Sequence, residues 1–136
     1  MKKVILSCMM MLFVMSTFAQ KKAERSAETD TQALVEKYNL SNAQEAKVLK
    51  IQQRKYKNES QIASLESTDI DTYLKKRGTN EEQNKFSILR ILNEDQKKQF
   101  KQDERDLRVK RGTLSHKMQK QGASPIEIKK ALLEVE

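Results

Sequence analysis

The sequence predicts an all-α protein of four to five helices, and three observations carry that expectation. Its 136 residues include three glycines and one proline, too few to supply the turns of hairpin or barrel folds. The chain is 34% charged and 37% hydrophobic, and it is rich in Lys, Glu, Gln and Leu, as charged helices are. Its apolar residues recur at helical rather than alternating spacing. The length supports one domain.

The first nineteen residues read differently from the rest. Met1, Lys2 and Lys3 form a basic start, and residues 4–15 are almost wholly apolar. Ser16, Thr17, Phe18 and Ala19 then place small residues where a signal peptidase needs them. This is the layout of a secretory signal peptide cleaved after Ala19. The run is shorter than the roughly 20 apolar residues that span a bilayer. Cleavage removes Lys2 and Lys3 from a formal charge of +8, leaving +6. It also removes Cys8, the chain's one cysteine, so the exported protein has no disulfide framework. Outside the cytoplasm, in the periplasm or an equivalent compartment, basic charge points to acidic proteins or anionic surfaces rather than to nucleic acid.

Residues 20–30 are polar and aperiodic and read as a flexible lead-in. Residues 31–38 carry Leu34, Val35 and Tyr38 on one side of a short helix. A long helix is expected over 41–66, with Val48, Leu49, Ile51, Tyr56, Ile62 and Leu65 as its apolar residues. A short helix over 70–77 follows, stopped at Gly78 by the residue type that tolerates a left-handed backbone. Thr79 and Glu82 have the capping-box spacing for a helix carrying Phe86, Ile88, Leu89, Ile91 and Leu92. Asn93 restarts or kinks the chain, which runs on through Phe100, Leu107 and Leu114 to Met118. Gly112 weakens that segment and Gly122 ends it. Ser124, Pro125 and Glu127 signal a last helix over 125–135.

One five-residue pattern recurs. Leu40-Ser41-Asn42-Ala43-Gln44 returns 52 positions later as Leu92-Asn93-Glu94-Asp95-Gln96. Ser41 and Asn93 are good N-caps, whose side-chain oxygens accept from first-turn amides. Gln44 and Gln96 can return a bond to the cap backbone. Leu40 and Leu92 stand just before the caps, with Val48 and Phe100 as their expected contacts.

A signal peptide, a small basic helical chain and two Leu-(Thr/Ser/Asn)-x-x-Gln helix starts resemble the LTxxQ-motif family of periplasmic proteins, which includes the Spy- and CpxP-type stress chaperones. The resemblance covers about residues 38–56 and 91–111. The family pattern prefers threonine where this chain has Ser41 and Asn93, and both can still cap. The resemblance implies an elongated helical hairpin or cradle, dimeric, whose basic concave face holds unfolded or partly folded proteins without ATP. It also implies an alternative role, as regulatory partner of a membrane stress sensor.

The residues point the same way. Lys47, Lys50, Arg54 and Lys57 line one face of the long helix, away from its apolar side. Lys97, Lys101, Arg105, Arg108 and Arg111 form a second basic row, beside Phe100, Leu107, Leu114 and Met118. Residues 20–136 hold 28 large apolar or tyrosine residues, few for a round monomer and suited to thin helical layers or to pairing of two chains.

Enzymatic chemistry is not expected. His116 lies among basic residues, and no cysteine remains after cleavage. The acidic pairs Asp69 with Asp71 and Glu81 with Glu82 read as helix starts, and Asp103, Glu104 and Asp106 as partners for nearby lysines and arginines. A periplasmic metal sensor is the further alternative, but His116 and Met118 stand alone as soft or borderline ligands. No cofactor or metal is expected.

Overall fold

A computed structural model describes residues 25–135. The expected signal peptide lies outside them. The described chain is all-helical, with six helices rather than four to five: α1 (Ala27–Tyr38), α2 (Asn42–Ile62), α3 (Leu65–Thr68), α4 (Ile70–Ile91), α5 (Glu94–Lys120) and α6 (Pro125–Leu133). No described helix is long and apolar enough to cross a membrane.

Four helices begin on a capping box, at Ser26, Ser41, Asn93 and Ser124. At Ser26 the box is completed by Thr29, so the helix starts at Ala27 and takes over the end of the segment read as lead-in. Asp69 starts α4 by accepting from the Thr72 amide at 3.1 Å. α1 ends on Asn39 in the left-handed region, φ 49°, which asparagine tolerates better than most residues. The long helix expected over 41–66 stops at Ile62 and resumes as one short turn, α3. Serine and threonine hydroxyls crowd this break: Ser60 donates to the Lys57 carbonyl, and Ser67 and Thr68 to that of Ser64. Such side-chain bonds compete with the helical ladder.

Gly78 does not stop a helix. α4 runs unbroken through it. Thr79 caps nothing; its hydroxyl donates back to the Lys75 carbonyl at 3.0 Å, and Glu81 and Glu82 sit inside the helix rather than at a start. The reason is tertiary. Leu74 and Asn80, on either side of Gly78, are both buried, and packing of that face outweighs the propensity of one residue. A β-carbon at Gly78 or at Gly112 would meet nothing within 4 Å. Gly78→Ala and Gly112→Ala should therefore each raise stability by about 1 kcal/mol in urea titrations. Gly122 is different: at φ 77° it closes α5, and Gly122→Ala should cost about 1 kcal/mol.

α2 packs against α1 on one side and α4 on another, and α6 folds back against both α4 and α5. The α2–α4 seam is partly polar. Asn58 donates to Asn80 Oδ1 and Asn80 to the Lys55 carbonyl, each at 3.0 Å. The main apolar cluster is Tyr38, Leu40, Val48, Ile88, Leu92 and Phe100. It sits where α1 ends, α2 begins, α4 ends and α5 begins, so the repeated motif and the core occupy the same end of the molecule.

Candidate functional site

Both copies of the motif are complete capping boxes. Ser41 Oγ accepts from the Gln44 amide at 3.3 Å, and Gln44 Oε1 accepts from the Ser41 amide at 3.0 Å. Asn93 Oδ1 and Gln96 Oε1 do the same for their helix, each bond 2.9 Å. Leu40 and Leu92 are buried with Val48 and Phe100.

The structure also joins the two copies. Gln44 Nε2 donates to Gln96 Oε1 at 2.7 Å, and Gln96 Nε2 approaches Gln44 Oε1 at 3.3 Å. Each amide then reaches past its partner to the backbone before the other leucine. Gln44 donates to the Ile91 carbonyl at 2.9 Å. Gln96 donates to those of Tyr38 and Asn39, at 3.2 and 3.3 Å. The arrangement has approximate twofold character, and it clamps the starts of α2 and α5 to the ends of α4 and α1. One glutamine thus caps its own helix and binds a chain segment about fifty residues away.

The basic rows lie on the outside. Lys47, Lys50, Arg54, Lys57, Lys101, Arg105 and Arg108 are all exposed. Arg54 donates to Ser87 Oγ at 2.7 Å, and Arg105 to Gln102 Oε1. Lys47, Lys50, Lys57, Lys101 and Arg108 form no ion pair among the described residues. Two members of the second row are drawn out of it. Lys97 pairs with Glu94 at 2.8 Å, and Arg111 turns inward to Glu81 at 2.7 Å and to the Val135 carbonyl. No described bond connects the α2 row with the α5 row.

A Lys-Tyr pair meets one carboxylate twice. Lys37 Nζ and Tyr38 Oη both reach Asp103 Oδ2, at 2.9 and 2.7 Å. Lys55 Nζ and Tyr56 Oη both reach Asp30 Oδ2, at 3.1 and 3.0 Å. Burial, and then the carboxylate each phenol donates to, push Tyr38 and Tyr56 well above the ordinary tyrosine range. At Asp103 burial acts upward, but the bonds from Lys37 and Tyr38 outweigh it and hold the carboxyl below its usual value. A carboxyl lowered on folding stabilises above its unfolded value, and that contribution is lost as pH falls. A phenol raised on folding stabilises below its unfolded value, and that contribution is lost as pH rises. Thermal melts should therefore show a stability plateau that declines below about pH 4 and above about pH 10. Tyrosinate absorbance should lag behind that of a free phenol until the chain unfolds.

Nothing in the sequence marks these Lys-Tyr-Asp groups, because Tyr38 and Asp103 are 65 positions apart. The pairing of Gln44 with Gln96 had one signal, the equal spacing of the two copies. Among the described residues, no group of three or more His, Cys, Asp or Glu is placed to hold a metal ion. Comparison with models of known protein families, with curated proteins and with solved structures finds no match to this chain.

Proposed function

We propose that this is an exported, ATP-independent chaperone-like protein that holds unfolded or partly folded polypeptides, working as a dimer. One observation carries the reading. An exposed row of cations on α2, with Lys47, Lys50 and Lys57 unpaired among the described residues, lies on a helix whose opposite side is packed. Free cations on a rigid helix attract acidic segments over a distance of several ångströms, and salt screens the attraction. Exposed Phe86 and Val109, at 61% and 68%, add apolar contact to that attraction. The paired Leu-x-x-x-Gln helix starts and the resemblance they carry to the LTxxQ-type proteins support the same reading.

The test is aggregation of several unrelated denatured proteins, followed by light scattering without ATP. Broad suppression at stoichiometric ratios is expected. No suppression of any client, with capture of a single membrane sensor instead, would replace this reading with that of a regulatory partner.

A further inference from the structure

A cleft of about 510 Å³ lies between α1, α2, α4, α5 and the chain end after α6. That is the size of a small-ligand site. Among the described residues, three buried polar atoms have no protein hydrogen-bond partner: Gln52 Oε1, Asn84 Oδ1 and Arg111 Nε. All three residues line this cleft. Gln52 is 2% exposed. A buried polar group needs a partner in a folded chain, and three around one space offer a ligand ready-made polar contacts.

The chemistry of that ligand follows from the lining. The free valences are two carboxamide oxygens, which accept, and one guanidinium N–H, which donates. The charges around them are largely paired with each other: Lys55 with Asp30, Lys37 with Asp103, Lys85 with Glu104 and Arg111 with Glu81. An ionic ligand would have to break those pairs; a neutral one would not. Leu34, Ile88, Phe100 and Leu107 add an apolar wall. A peptide unit answers each requirement. It is uncharged, its N–H donates to a carboxamide oxygen, its C=O accepts from an N–H, and an apolar side chain beside it can rest on the wall.

The geometry points to a second binding site, distinct from the basic rows: a cleft in which Gln52, Asn84 and Arg111 bind the backbone of a short uncharged, apolar stretch of polypeptide. This inference rests on the polypeptide-holding reading for the source of the peptide, and it names the chemistry of what is held. Recognition through backbone amides would be indifferent to sequence beyond a preference for apolar side chains.

The test is a titration of the purified protein with the blocked tripeptide N-acetyl-alanyl-leucyl-alanyl-amide. It is followed through the NMR signals of Tyr38 and Tyr56, which also line the cleft. Saturable shifts are expected, with much weaker ones for the same peptide carrying a central glutamate. Gln52→Leu and Asn84→Leu should each weaken binding about tenfold, the loss of one hydrogen bond. Gln52→Leu should also melt at or above the parent temperature, because it removes a buried amide that has no partner. Absence of saturable binding, or affinity unchanged from the parent in both variants, would overturn the inference, and so would a clear drop in stability for Gln52→Leu. Peptide binding without aggregation suppression would leave this site standing and sink the chaperone reading. Suppression without peptide binding would do the reverse.

Discussion

Replacing Gln96 with leucine should cost about 3 kcal/mol of stability, the largest effect expected of any polar side chain here. Gln96 is 8% exposed. Its amide serves the Asn93 N–H, the Tyr38 and Asn39 carbonyls and the Gln44 side chain at once. Leucine keeps the volume and leaves all of those groups short of a partner, and a buried unpartnered group costs more than a hydrogen bond gains. For a domain of this size the melting temperature should fall by roughly 10–15 °C. Gln44→Leu should cost less, since Gln44 is only half-buried. The double variant should lose less than the two single losses added together, by about 1 kcal/mol or more, because both changes break the same bond. Ser41→Ala and Asn93→Ala remove one cap acceptor each and should cost about 1 kcal/mol. Equal melting of Gln96→Leu and parent would mean that the core alone holds the two helix starts together.

The all-helical class was legible because its signals are local. Ser41 with Gln44, Asn93 with Gln96, and Ser124 with Glu127 are each contained in four residues, and capping is a reaction of neighbours. Gly78 shows where local signals fail. A glycine followed by Thr79 and Glu82 has the form of a stop and a start. What decides its state is the burial of Leu74 and Asn80, and Asn80 is bonded to α2, some twenty residues back along the chain. The same limit applies to the site. The basic rows could be read from spacing, but the inward turn of Arg111 could not, because Glu81 lies 30 positions away. Gln52, between Ile51 and Gln53, reads as an ordinary polar position; only the packed helices reveal that its amide is buried and unpartnered.

The second large effect concerns the cations of α2. Lys47→Glu, Lys50→Glu and Lys57→Glu together should slow capture of an acidic unfolded client by about tenfold or more at low salt, since steering changes encounter rates by roughly 10 to 1,000-fold. Arg54 is left in place because it holds Ser87 on α4. The helix should survive, as lysine and glutamate have similar helix propensities. The same reversal at Lys101, Arg105 and Arg108 measures the share carried by α5. The measurement that bears most directly on the central claim is the stopped-flow capture rate of matched acidic and basic unfolded clients, by parent and by the α2 variant, across a salt series. Electrostatic steering predicts that the parent captures the acidic client faster, that the reversal abolishes or inverts this preference, and that high salt erases the difference. Equal rates for both clients, unmoved by reversal and by salt, would contradict it and reduce the basic rows to a solvated surface.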